Sequence, residues 1–276
     1  MEVTQVGKMT DKTYIIAEIG INHMGSMDKA KALIDAAVRS GVDAVKFQTY
    51  ITEKRAPKGN TQVYDILKKC ELPFNNFKTL KHYTERHYNI DFFSTPFDEE
   101  SVDLLYNMGL RKHKIASFDV TNHDLLRYIG KHADDVIMST GMSSILEIER
   151  ACKVLEETNT NISLLHCVSS YPTDLTDANI NAIKTLQNLW PNYTIGQSDH
   201  TPGIKVPLYS VVCGAKIIEK HFMIEEDCVD APVSINEKMM TELVSEVRLL
   251  ENIMGDGDLG MTKSQENAKI FRRHGR

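Results

Sequence analysis

Short runs of β-branched and aromatic residues recur along the chain, separated by stretches whose apolar positions return every three or four residues. The runs predict strands over Tyr14–Gly20, Ala44–Thr49, Asp91–Pro96, Lys112–Ser117, Val136–Gly141, Ser163–Val168, Thr194–Asp199 and Ile217–Phe222. The stretches between them predict amphipathic helices, among them Met27–Ser40, Glu99–Met108, Ser144–Glu157, Ala178–Trp190 and Pro207–Gly214. In the first, Ala30, Leu33, Ile34, Ala37 and Val38 share one face. The connection from Ile51 to Tyr88 has room for two helical pieces, and a helix near Glu237–Ile253 would close the ring. Regular strand–helix alternation implies parallel strands, and eight such units favour a closed (β/α)8 TIM barrel over an open doubly wound sheet. The absence of G-x-G-x-x-G after the first strand counts against a dinucleotide fold. Residues Glu2–Lys12 suggest an N-terminal β-hairpin at the barrel floor. With no linker or shift of composition, the expectation is a single domain over 1–276, with 256–276 as a C-terminal extension.

Composition narrows the partners. The 276 residues match the roughly 250 of such a barrel. The net charge is −6 and no basic run precedes Arg272, Arg273 and Arg276, which argues against a nucleic-acid surface. Any anion site must therefore be local, made by a few cations in a cleft. Five cysteines, an odd number without a C-x-x-C pair, fit reduced thiols in the cytoplasm rather than a disulfide framework or structural zinc. The first residues lack a signal-like apolar segment, and no stretch of about 18 apolar residues occurs, so no membrane association is expected.

The chemistry is concentrated where strands end, the functional end of such a barrel. Strand one ends in Glu18, followed by Asn22 and His23; strand two supplies Lys46 and Gln48, which alternation places on one face. Strand three brings Ser94 and Thr95, strand four Lys114, Ser117 and Asp119, and strand five Ser139-Thr140-Gly141. Strand six ends in His166-Cys167-Val168-Ser169-Ser170-Tyr171, strand seven in Ser198-Asp199-His200 and strand eight in Glu219-Lys220-His221. A lone lysine near a strand end is commonly a surface residue. Lys46, however, sits between Val45 and Phe47, where an unpaired ammonium would be costly. Two such lysines, Lys46 and Lys114, with several hydroxyls suit a carboxylate and a phosphate. Because Lys114 and Ser117 have opposite parity, one of them must lie beyond the regular strand or at a bulge. His200 and His221 end neighbouring strands, and with Glu18 or Asp230 they would suit a divalent metal that keeps open positions. His82, His87, His113, His123, His132 and His274 fall on predicted helices or surface turns and are given no role. Nucleophilic hydrolysis is the weaker reading, since no G-x-S-x-G elbow occurs and Cys167 lies in an apolar strand.

These motifs resemble the sialic acid synthase family, the phosphoenolpyruvate-dependent N-acetylneuraminate, legionaminate and pseudaminate synthases. The resemblance rests on IIAEIGINHMGS (15–26), AVKFQTY (44–50), FFSTPFD (92–98), KHKIASFDVTN (112–122), IMSTGMSS (137–144), LLHCVSSYPT (164–173), IGQSDHTPG (195–203), EKHF (219–222) and SQENAKIFRR (264–273). It implies a (β/α)8 barrel that condenses phosphoenolpyruvate with an open-chain amino sugar aldehyde, giving a 3-deoxy-2-keto sugar acid and phosphate. By the same resemblance Lys46, Thr95, Lys114, Ser117, Ser139 and Ser198 hold phosphoenolpyruvate, with Ser169 near its phosphate. His200 and His221 would bind a divalent metal, usually manganese. Glu18 would position or deprotonate the attacking water, and Gln48, Tyr171 and Asp230 would touch the sugar. Asp119 stands where many relatives carry the longer glutamate of a Gly-Glu pair, here Phe118-Asp119, and is expected to be catalytic. Ser169 replaces an asparagine of some members. Most relatives continue into an antifreeze-like domain that lends an arginine to the partner subunit's sugar site, and no residue here maps to it. A homodimer, a separate antifreeze-like partner and a weaker requirement for the N-acetyl group are the corresponding expectations. A metal-dependent barrel aldolase or lyase, condensation with a simple aldose, and a non-catalytic binding barrel stay open as alternatives.

Overall fold

The computed structural model describes residues 12–56 and 59–273, so the hairpin expected over Glu2–Lys12 lies almost wholly outside the described residues. Eight parallel strands pair in chain order and close into a barrel: β1 (Tyr14–Gly20), β2 (Ala44–Thr49), β3 (Asp91–Pro96), β4 (Lys112–Ile115), β5 (Asp135–Ser139), β6 (Asn161–Cys167), β7 (Thr194–Asp199) and β8 (Ile217–His221), with β8 returning to β1. Around them run α1 (Met27–Arg39), α2 (Thr52–Arg55), α3 (Thr61–Cys70), α4 (Phe74–His87), α5 (Glu99–Asn107), α6 (His123–His132), α7 (Ile145–Glu156), α8 (Ala182–Leu189), α9 (Lys205–Val212) and α10 (Glu237–Met254). The long second connection thus holds three helices rather than two. β4 stops two residues short of the expected Ser117, which instead opens a 3₁₀ turn over Ser117–Asp119 and resolves the parity conflict with Lys114. Residues 256–273 are exposed throughout.

The strand alternation creates two apolar layers and one polar one. Outward-facing side chains such as Ile15, Val45, Phe92, Val136, Leu164 and Ile218 pack against the helices and form the main core. Inward, Ile16, Ala44, Phe93, Ile137, Leu165 and Ile217 close a small apolar floor. The next inward position on each of these strands is Glu18, Lys46, Thr95, Ser139, Cys167 or Glu219, and all six are buried. Lys114 and Ser198 complete this layer from β4 and β7. A period of two therefore turns a hydrophobic plug into a ring of chemistry within one step along each strand.

One histidine needs correcting. His113 lies not on a helix or surface turn but within β4, fully buried, and burial pulls its pKa down to about 4. It has the opposite parity to Lys114, which faces the barrel interior.

Candidate active site

Burying four charges in one layer is tolerable only if they compensate one another. Here they form an alternating chain. Lys46 Nζ lies 2.7 Å from Glu18 Oε2 and 3.6 Å from Glu219 Oε2, and Lys114 Nζ lies 3.6 Å from Glu219 Oε1. Lys46 also donates to Thr95 Oγ1 at 3.0 Å, Lys114 to Ser139 Oγ at 2.6 Å and to the Ile115 carbonyl at 3.1 Å, and Ser198 to Glu219 Oε1 at 2.9 Å. The two lysines are not equivalent. For Lys46, burial pulls the pKa down, but Glu18 and Glu219 outweigh it and the net shift is upward. For Lys114, burial dominates, Glu219 offsets only part of it and Lys46 adds to the fall. Lys114 is thus an under-compensated cation, the better receptor for an incoming anion.

Beside Lys114 sits a small polar cradle. Gly141 N donates to Ser117 Oγ at 2.9 Å, which ties the turn after β4 to the loop after β5. A Cβ on Gly141 would stand 2.3 Å from Ser169 Oγ and 2.9 Å from Ser117 Oγ, so the three groups can meet only around a glycine. Ser169 Oγ is buried and has no hydrogen-bond partner among the described residues. Hydroxyls and a backbone N–H next to a lysine suit the oxygens of a phosphate.

The ring opens into a cavity of about 260 Å³ whose outer wall includes Gln48, Arg55, Phe97, Phe118, Tyr171, His200, His221 and Asp230. Gln48 Nε2 donates to Glu18 Oε1 at 2.9 Å. Phe118 and Tyr171 are the exposed aromatic lips, and Tyr171 lies 4.2 Å from His200, ring to ring. Asn22, following β1, clamps the mouth by donating to the Phe222 carbonyl and accepting from Asp230 N, both at 2.9 Å. Asp119 and Ser169 stand just behind this wall rather than in it; Asp119 accepts from Asn122 Nδ2 at 3.4 Å, and burial raises its pKa.

The expected metal ligands come together in part. His200 Nδ1 lies 2.8 Å from the Val168 carbonyl, which only accepts, so this nitrogen carries the proton and Nε2 keeps its lone pair. Burial, with His221 adding, lowers the His200 pKa to about 3, which leaves a neutral imidazole fit for ligation. The two ring centroids are 5.3 Å apart, close to the roughly 5 Å expected of two imidazoles sharing an ion at N–metal distances of ~2.1 Å. Asp230 Oδ2 lies 3.2 Å from His221 Nδ1; against the effect of burial, Asp230 raises the His221 pKa and His221 lowers that of Asp230. Among the described residues no group of three or more His, Cys, Asp or Glu is arranged to hold a metal ion. His200 and His221 are thus the two expected ligands that the structure brings together, without a third among the described residues.

Glu219, named at the end of strand eight but given no role, and Arg55, not singled out at all, are the further residues of the site. Glu219 shares parity with His221 and points at both lysines, a signal readable from β8 alone. Its neighbour Lys220 faces the other way, paired with Asp199 Oδ2 at 2.7 Å. Arg55 lies on a short helix in the long connection, where strand periodicity says nothing.

Fold and site together define a (β/α)8 barrel with a buried, hydroxyl-lined ring of lysines and glutamates beside a histidine pair at the carboxyl ends of its strands. The chain belongs to the NeuB family, whose family model matches residues 33–259, and this is the sialic acid synthase family that its motifs resemble. It is 44% identical to an uncharacterised protein of Methanocaldococcus jannaschii, over 92% of this chain and 75% of that one. It is 38% identical to the N,N'-diacetyllegionaminic acid synthase of Campylobacter jejuni, over 95% of this chain and 84% of that enzyme. Among solved structures, the N-acetylneuraminic acid synthetase of Leptospira borgpetersenii, in complex with citrate, superposes with a TM-score of 0.90 at 37% identity, covering 95% of this chain and 91% of that one.

Proposed function

We propose that this chain condenses phosphoenolpyruvate with an open-chain amino sugar aldehyde, releasing phosphate and a 3-deoxy-2-keto sugar acid. The observation that carries the reading is the under-compensated Lys114, set between Ser139 and Glu219 and next to the cradle of Ser117, Gly141 and Ser169. Lys46 and Lys114 take the carboxylate and phosphate charges, with Thr95, Ser139 and Ser198 as hydroxyl partners. The nucleophilic C3 of phosphoenolpyruvate forms the new bond to the aldehyde carbon. Water then adds its oxygen at C2, one of its protons ending on the new hydroxyl; the other leaves the C2 hydroxyl with the departing phosphate as the C2–O(phosphate) bond breaks and the ketone forms. Glu18, fixed by Lys46 and Gln48, orients that water and accepts its proton. Gln48, Tyr171 and Asp230 surround the sugar, and Asp119 is the further catalytic carboxylate behind them.

A divalent ion on His200 and His221 would polarise the aldehyde oxygen as a Lewis acid. Manganese is our assignment, supported by the two imidazole donors and by the resemblance to the sialic acid synthase family. A cytoplasmic setting is part of the reading, supported by the five unpaired cysteines; no described helix is long and apolar enough to cross a membrane. The test is release of inorganic phosphate from phosphoenolpyruvate with manganese and a panel containing N-acetylmannosamine, its deoxy-diamino analogues and simple aldoses. Aldehyde-dependent phosphate release with formation of a 2-keto acid is expected. Phosphoenolpyruvate binding without turnover on any aldehyde would overturn the reading.

A further inference from the structure

Arg55 is a charged group that the reaction described above leaves unused. It ends α2, and its guanidinium lies against two aromatic faces, 3.8 Å from the Phe97 ring centroid and 4.5 Å from that of Tyr50. The surrounding structure holds it there: Ile51 N donates to Asp98 Oδ2 at 2.8 Å, Thr52 Oγ1 to Glu71 Oε2 at 2.5 Å, and Tyr50 Oη to the Leu67 carbonyl at 2.9 Å. Yet the guanidinium makes no hydrogen bond or ion pair with a described residue, and Nη1 is closed off from solvent. It lines the active-site cavity, as Phe97, Phe118 and Asp230 do. A buried N–H without a partner is costly, and a planar fork fixed by stacking is ready to donate to something that enters the cavity.

The charges nearby indicate what that is. Asp230 and Asp119 act on Arg55 electrostatically without pairing with it, and Asp230 is already engaged by His221, 3.2 Å away. A phosphate monoester, at about −1.5 to −2 charge, would meet repulsion from these two carboxylates. A neutral group with a carbonyl acceptor meets none, and its neighbouring hydroxyls can donate to the carboxylates. We propose that Arg55 is the specificity-determining residue for the acceptor, donating from its guanidinium to the carbonyl oxygen of an acylamino substituent. The assignment rests on the condensation reading above. It replaces the expectation of a weak N-acetyl requirement with its opposite, because a site built around a buried donor rejects an acceptor that leaves it unpaired.

The test compares kcat/KM for N-acetylmannosamine, N-acetylmannosamine 6-phosphate and mannose in the full chain and in Arg55→Met and Arg55→Lys, with titration of phosphoenolpyruvate alone as the check on an intact barrel. The full chain should prefer the acetamido sugar over mannose. Arg55→Met should lose roughly ten- to hundredfold on the acetamido sugar and less than about threefold on mannose, with phosphoenolpyruvate affinity retained. Arg55→Lys, which keeps charge without the fork, should recover only part. Equal losses on both sugars, a loss confined to the phosphorylated sugar, or indifference of the full chain to the acetyl group would each overturn the role of Arg55 while leaving the condensation standing. Absence of phosphate release with every aldehyde would overturn both. Should Arg55→Met fail to bind phosphoenolpyruvate, the ratio of acetamido sugar to mannose in Arg55→Lys decides: an unchanged ratio overturns the proposal.

Discussion

At the scale of single residues, compensation separates the two lysines. Lys46 is held between Glu18 and Glu219, so Lys46→Met strands the buried carboxylate of Glu18, leaves Glu219 only Lys114 and Ser198, and should cost about 3–5 kcal/mol of folding stability. Lys114→Met leaves Glu219 with Lys46 and Ser198, and its stability should stay within about 1 kcal/mol of the parent while phosphoenolpyruvate binding is lost. Urea unfolding and ligand titration of both variants check this; equal destabilisation would show that Lys114 is as well compensated as Lys46. The same asymmetry gives a proton signature. The free Lys114 pKa is lowered, and a bound anion raises it, so between the two values the complex holds a proton that the free enzyme lacks. At pH values between the free and the bound Lys114 pKa, where a phosphate with its second pKa near 6 is already ionised, binding should take up protons, and affinity should fall as pH rises through the free Lys114 value. Calorimetry in buffers of different ionisation enthalpy measures the uptake, and Lys114→Met should abolish it. Lys46 and Lys114 were legible in the sequence because a cation inside an apolar run demands a reason. Arg55 was not, because its burial depends on Phe97 and Tyr50 arriving from two different strand ends.

At the scale of elements, β1, β2, β3 and β7 have the bounds that their apolar alternation indicates, since each is buried on both faces and flanked by polar breaks. β4 was misjudged because Ala116 and Ser117 continue an apolar-looking run while the backbone already turns, and the turn is what aims Ser117 at Gly141. The loops after the strands therefore carry as much of the site as the strands do. Gly141→Ala tests this: its methyl would collide with Ser169 Oγ and Ser117 Oγ and open the cradle without touching either lysine. Phosphoenolpyruvate affinity should fall roughly tenfold or more, the worth of a charged-group hydrogen bond or two, while the far-ultraviolet spectrum and unfolding midpoint hold. Unchanged affinity would place the phosphate elsewhere in the cavity. The loops after β6 and β7 likewise orient His200 through the Val168 carbonyl. His200→Ala should lower bound manganese well below stoichiometric levels after dialysis, read by elemental analysis; full retention would remove His200 from the ligand set.

At the scale of the whole molecule, eight strand–helix units were enough to indicate a closed barrel, because parallel strands require crossovers and eight of them suffice to close the ring. What the sequence did not display is how closure is set, since that depends on contacts between β6, β7 and β8. Gly196 occupies an inward position of β7 between the floor residues Leu165 and Ile217. A Cβ there would lie 2.3 Å from the Ile217 carbonyl oxygen and 2.7 Å from both Ile217 Cβ and Leu165 Cδ2. The first of these is a backbone atom of the neighbouring strand, so no side-chain rotation relieves the clash and β7 must move off β8. That movement strains the pairing of Gln197 with Ile218 and of Ser198 with Glu219, one step above the floor. Gly196→Ala should therefore cost at least about 2 kcal/mol, as overpacking of a tight interior does. It should also weaken phosphoenolpyruvate binding, because the Ser198–Glu219 contact that fixes the charge chain moves with the strand. Urea midpoints and ligand titration on one preparation measure both effects. A variant with parental stability would mean that the strands can part at this point without cost, and that the floor does not hold the charge layer in place.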